Sequence, residues 1–113
     1  MAWKAIDNLE QINQIKEESK HQPVLIFKHS TSCSISGMAW NRLQRNWQEN
    51  DFNKVKPYFL DLLSYREISN AIADEFAVQH ESPQVILVKD GLAVYDTSHM
   101  GINYQEIIDQ VGG

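Results

Sequence analysis

Pro23-Val24-Leu25-Ile26-Phe27-Lys28-His29-Ser30-Thr31-Ser32-Cys33-Ser34-Ile35-Ser36 is the stretch that decides the fold. Its first half is a continuous apolar run behind a proline, the pattern of a central strand buried on both faces. His29 to Ser32 is a polar loop. Beyond it Ile35, Met38, Ala39, Leu43 and Trp47 recur at helical spacing, which predicts a helix from Ser34 to about Gln48. Cys33 therefore stands in the turn between a buried strand and a helix N-terminus.

Upstream, Trp3 to Ile6 reads as a short edge strand. Asp7 and Glu10 read as a reciprocal cap opening a helix that carries Leu9, Ile12 and Ile15 and ends near Ser19. Downstream, Tyr58 to Leu62 is the next strand, and Ser64-Tyr65-Arg66-Glu67 has the spacing of a capping box. The helix it opens puts Ile68, Ala71, Ile72 and Phe76 on one face. Gln84 to Val88 is a strand, Asp90-Gly91 a two-residue hairpin turn, and Leu92 to Thr97 the antiparallel return. Asn103 starts a last helix, with Ile102 and Ile107 placed as a hydrophobic staple. This order, parallel βαβ units followed by a hairpin and a helix, is the thioredoxin-like layout. It predicts one α/β domain over residues 1–113, with a mixed sheet of four to five strands flanked by four helices.

Composition narrows the function classes. The chain has 113 residues, enough for one domain, and its 42% hydrophobic and 22% charged content is that of a globular protein. With 10 basic and 15 acidic side chains, nothing suggests a nucleic-acid surface. Cys33 is the only cysteine, which excludes an internal disulfide and any structural zinc site needing two thiolates. Met1 to Ile6 is too short and polar for a signal peptide, and no apolar run reaches the roughly 20 residues of a membrane span. A cytoplasmic location is expected, with neither membrane nor nucleic acid as partner.

Chemistry gathers at Cys33. The macrodipole and open amides of a helix N-terminus favour a thiolate, the form that attacks disulfides. A redox Cys-x-x-Cys pair would place its second cysteine at position 36. Ser36 stands there instead, able to donate a hydrogen bond to the Cys33 sulfur but not to resolve a mixed disulfide. A small buried core cysteine is the plain alternative, but its hydroxyl-bearing neighbours argue against it. Ser82-Pro83-Gln84, just before the fourth strand, is a second element. A cis-proline there would pack against the thiol loop, whereas a trans-proline would merely mark a strand start.

Three segments together, Phe27 to Ser36, His80 to Val85 and Ser98-His99, resemble the monothiol bacilliredoxins, the YtxJ-like proteins of the bacillithiol system. The resemblance spans essentially the whole chain. It departs at Ser34, where family members are expected to carry proline, which bears on thiol reactivity rather than identity. The resemblance implies a thiol-disulfide oxidoreductase without a tightly bound cofactor, using bacillithiol as co-substrate. Its implied partners are bacillithiolated client proteins, bacillithiol and other bacilliredoxins. Cys33 would be the nucleophile, and Ser32, Ser34, Ser36, Ser82, Pro83 and His99 would form the thiol-ligand surface.

The remaining polar residues have two readings each. His29, four residues before Cys33, either approaches the thiol loop or is simply hydrogen-bonded. His80 and His99 either meet bacillithiol carboxylates or are solvated. None of the four histidines has metal-ligand spacing. Asp61, between Leu60 and Leu62, is either a buried proton relay or an outward residue of an alternating strand. Lys28 and Arg42 are candidate positive charges near the thiol. Trp40 and Trp47 suit core or groove lining, with client docking by an exposed ring as the alternative. Two rival functions remain at this level, a redox sensor or adaptor marked at Cys33 without turnover and a one-cysteine peroxidase. The peroxidase is disfavoured because no threonine-plus-arginine site surrounds Cys33.

Overall fold

A computed structural model describes residues 3–112. The central run forms strand β2 (Val24–His29), and its first five residues are all buried. It sits in the middle of a five-stranded sheet of order β1-β3-β2-β4-β5. Strands β1 (Lys4–Ala5), β2 and β3 (Lys56–Asp61) run parallel, while β4 (Gln84–Lys89) and β5 (Leu92–Ser98) are antiparallel neighbours on the other side. This is the thioredoxin-like fold, and β1 is the edge strand that Trp3 to Ile6 suggested.

Because strand side chains alternate, β2 feeds two separate cores. Val24 and Ile26 join Ile12 and Ile15 of α1 (Glu10–Glu18) and Ile68 and Ile72 of α4 (Arg66–Phe76). Leu25 and Phe27 join Ala39 and Leu43 of α2 (Ser34–Asn46) and Ile107 of α5 (Tyr104–Gly112). A strand apolar at every position is what a sheet covered on both faces requires.

Local signals held in part. Asp90 and Gly91 both take positive φ, 52° and 76°, as a two-residue hairpin turn demands. Asn103 Oδ1 caps α5 by accepting from Glu106 N at 3.0 Å, and the staple pair Ile102 and Ile107 is buried. The first cap lies one residue later than expected. Asn8 Oδ1 accepts from Gln11 N, and Gln11 Oε1 accepts from the Asp7 and Asn8 amides, so the reciprocal pair is Asn8–Gln11. At α4 the N-cap is Tyr65, with no side-chain cap; Ser64 Oγ instead donates to Asp61 Oδ2 at 3.0 Å. With its hydroxyl turned to Asp61, Ser64 caps no α4 amide.

Two boundaries moved. α2 stops at Asn46 because Trp47 turns extended, its ring meeting Trp3 at 4.9 Å. A further short helix, α3 (Asp51–Lys54), follows; buried Asp51 holds it by accepting from Gln48 N and from Tyr104 Oη. The described residues thus carry five helices rather than four. β3 begins at Lys56, whose amide donates to Pro23 O, and ends at Asp61.

Candidate functional site

Strand register brings the site together. At the C-terminal end of β2, His29 faces Asp61 of β3, and Lys28 faces Gln84 of β4, which in turn faces Ser98 of β5. The His99 amide donates to Pro83 O at 3.0 Å. The thiol loop, the Ser82-Pro83 turn and the 3-10 turn His99–Gly101 therefore share one end of the sheet. Segments 50 to 70 residues apart in the chain become neighbours there.

Cys33 is the N-cap residue of α2, half-buried and extended at φ −112°, ψ 118°. Its amide donates to Ser30 O and its carbonyl accepts from Gly37 N, both at 3.2 Å. No side chain caps this helix, and its first turn holds no acidic residue. The cysteine thus takes the place of a capping residue beside first-turn amides that no side chain satisfies.

Ser36 does not serve the sulfur. Its side chain is fully buried, with Oγ accepting from Ser30 N at 3.0 Å and standing 2.7 Å from His29 Nδ1. One turn into α2, residue 36 faces the sheet, where His29 projects on the same layer. This corrects the expected bond to Cys33 and makes Ser36 a clasp between strand, loop and helix. Ser30 is the residue that sequence reasoning missed, since its amide and carbonyl hold both ends of that clasp.

His29 lies among Phe27, Trp40 and Phe59, with the Phe59 ring centroid 5.5 Å away. Burial pushes its pKa below the ordinary histidine value, while the Asp61 carboxylate pulls the other way. A neutral ring accepting at Nδ1 suits the Ser36 hydroxyl as donor. Asp61 is half-buried at the strand end; Oδ2 accepts from Ser64 and Oδ1 is buried without a partner. It is therefore neither a plain outward residue nor fully enclosed.

The Ser82–Pro83 peptide is cis and Pro83 is buried. Ser82 Oγ is buried with no hydrogen-bond partner. Ser32 and Ser34 are exposed, and Ser32 Oγ lies 3.2 Å from Ser30 Oγ. His99 takes a positive φ of 54°, and its Nε2 lies 3.2 Å from Glu81 Oε1, so its nearest carboxylate is the protein's own.

Lys28 supplies no charge to the thiol loop. Strand alternation turns it to the opposite face, where it is fully buried. Nζ donates to Ser69 O of α4 at 3.0 Å and to His80 Nδ1 at 3.4 Å. Burial lowers its pKa to about 8. His80 is held below the ordinary histidine range by burial and by the Lys28 charge, against the opposing pull of Glu81. Its Nδ1 thus points inward, toward Lys28 and Ser69 Oγ. The available signal was parity, since Lys28 and His29 are consecutive in one strand and must point oppositely. Arg42 is also committed elsewhere, donating to Ile102 O at 3.3 Å. Trp40 and Trp47 are half-buried in an aromatic cluster with Trp3, packed against the core on the α2 side of the sheet.

Among the described residues no group of three His, Cys, Asp or Glu side chains is placed to hold a metal, and no helix is long and apolar enough to cross a membrane. A family model described as monothiol bacilliredoxin BrxC matches residues 4–107. A solved structure provisionally described as an oxidoreductase with a thioredoxin fold is 30% identical, at a TM-score of 0.81. That match covers 97% of this chain and 93% of the other. Thioredoxin of Malassezia sympodialis is similar in fold at 16% identity and a TM-score of 0.75, covering 98% and 89% of the two chains. Fasciola hepatica thioredoxin matches at 14% identity and a TM-score of 0.71, covering 96% of each.

Proposed function

The chain belongs to the monothiol bacilliredoxin BrxC family of thioredoxin-fold oxidoreductases, and from that premise we propose that it removes bacillithiol from S-bacillithiolated proteins through Cys33. The observation that carries this reading is the place of the only cysteine, at the N-cap of α2 beside amides that no side chain occupies. Negative charge is favoured there, and thiolate is the attacking species.

The Cys33 thiolate attacks the bacillithiol sulfur of the client's mixed disulfide. The client–bacillithiol S–S bond breaks, a new S–S bond joins bacillithiol to Cys33, and the client thiolate leaves and takes a proton from water. A second bacillithiol thiolate then attacks the bacillithiol sulfur on Cys33. This forms bacillithiol disulfide and restores the Cys33 thiolate. A partner bacilliredoxin thiol can take the place of the second bacillithiol, and the cycle suits a reducing cytoplasm. With Ser36 at the resolving position, each cycle needs an external thiol. Bacillithiol is a co-substrate here, not a resident cofactor.

The test mixes the purified protein with a bacillithiolated client and follows both masses. One bacillithiol should move to Cys33 as the client is released, and Cys33→Ser should abolish the transfer. A client left unchanged while oxidant freely modifies Cys33 would favour a sensor. Transfer that persists in Cys33→Ser would end the mechanism.

A further inference from the structure

Helix α2 differs in charge from the rest of the molecule. It contains Arg42 and Arg45 and no acidic residue. Removing those two from the chain's 10 basic and 15 acidic side chains leaves 8 against 15, so everything outside α2 is net −7. Arg42 bonds only the Ile102 carbonyl, and Arg45 pairs with no carboxylate among the described residues. The pair lines an open groove together with Met38 and Asn41, one turn apart along a single helix face.

Apolar side chains stand exposed between that pair and Cys33, beside exposed Ser34 and Asn41. Ile35 is 39% exposed and Met38 59%, while Met100, on the turn following β5, is 73% exposed. A helix rises about 1.5 Å per residue, so Arg42 and Arg45 lie roughly 13 and 18 Å along the axis from Cys33. An extended chain advances about 3.3 Å per residue and covers that span in roughly four to six residues.

We propose that the outer face of α2 is a docking surface for the client polypeptide, selecting segments with acidic residues about four to six positions from the bacillithiolated cysteine and apolar residues between. This rests on the function proposed above. A group bonded directly to the Cys33 sulfur sits at the start of the helix, whereas Arg45 stands more than three turns further on, which favours a polypeptide over the small thiol as occupant. Rim charges of this kind set the encounter rate and discriminate between partners.

The test uses fluorescein-labelled peptides with serine in place of the cysteine, three apolar residues, and then two aspartates. They are made with the aspartates on either side of the serine, and in matched glutamine and lysine versions. Fluorescence anisotropy with the reduced protein should show one aspartate peptide binding roughly five- to tenfold tighter than its glutamine match at low salt, an advantage that shrinks as salt is added. Arg45→Glu, at a side chain that holds nothing in place, should remove that preference, and R42E/R45E should reverse it toward the lysine peptide. Equal binding of aspartate and glutamine peptides, or a preference that survives in both variants, overturns the proposal. So does displacement of the peptide by free bacillithiol that Arg45→Glu abolishes, which would make the pair a small-thiol subsite. The underlying function is read separately, by transfer of bacillithiol from a cysteine-containing peptide to Cys33. Transfer without an acidic preference sinks only the docking surface, and a preference without transfer sinks only the function.

Discussion

Lys28 and His29 are consecutive residues of one strand, and they build two different supports for the same site. His29 turns toward α2 and, through Ser36, clasps the thiol loop. Lys28 turns toward α4 and, through Ser69 and His80, braces the segment that leads to Ser82-Pro83. The first support is made of neutral groups with donors and acceptors matched. The second holds a buried ammonium against a carbonyl and an imidazole, with no carboxylate among the described residues paired to it. The difference teaches that a polar dipeptide at the end of a central strand is divided by the pleat. One half organises the nucleophile and the other the loop across from it, at unequal cost.

The largest effect expected from this asymmetry is at Lys28. Lys28→Ala should destabilise by about 3 kcal/mol in urea unfolding, by opening a cavity and removing the ammonium's bonds to Ser69 O and His80 Nδ1. Lys28→Met fills the volume without the charge and should fall within about 1 kcal/mol of the parent or exceed it. Equal losses in both variants would mean that the ammonium's bonds outweigh its desolvation, and the contrast with His29 would break.

On the other face, Ser36→Ala should cost about 2 kcal/mol, because the buried Ser30 amide loses its acceptor. It should also slow bacillithiol transfer, since the clasp sets the loop that carries Cys33. Ser36→Cys restores a Cys-x-x-Cys spacing but weakens the clasp, so mass spectrometry should show no gain in transfer. A stable Ser36→Ala protein with unchanged transfer would reduce the clasp to a bystander.

The pH dependence separates the two supports. The Lys28 pKa is about 8 in the fold against an ordinary 10.5, so the unfolded chain binds more protons between those values. Its contribution to stability is complete above 10.5 and is lost as pH falls toward 8. The stability of the parent relative to Lys28→Met should therefore rise from about pH 8 to 10.5. His29 is also lowered, so its contribution is complete above its ordinary 6.5 and is lost as pH falls through its folded value. Chemical denaturation at stepped pH should show two separate windows. Coincident windows would undo the distinction.

The smallest effect belongs to the exposed His99–Glu81 pair, with side chains 51% and 36% exposed. Glu81→Gln should change stability by about 0.5 kcal/mol or less, more weakly still at high salt. A loss above about 1 kcal/mol would make this contact a third support.

Much of this was legible from periodicity and punctuation. The apolar run at β2, the Asp90-Gly91 turn and the Ile102–Ile107 staple each encode a local geometry, so their residues alone define the elements. Caps were less legible, because several side chains compete for one amide. Asn8 outcompeted Asp7, and Ser64 was drawn to Asp61 instead of its helix. α3 was not legible at all, since it depends on Asp51 meeting Tyr104, 53 residues away. At the site, Cys33 was visible from its place between strand and helix, but the direction of Ser36 was not. Spacing alone pointed its hydroxyl at the Cys33 sulfur, and the packing of α2 on the sheet turned it to His29 and Ser30 instead.

By itself, then, the sequence determined the order of the strands and the four longer helices, the central strand, and a single thiol at a helix N-terminus. These follow from local spacing and from a count of one. Tertiary structure alone decided which face each polar side chain served, where Lys28 and His80 met, and which carbonyl Arg42 reached. Those outcomes depend on burial and on contacts between distant segments, whose energies no local pattern carries.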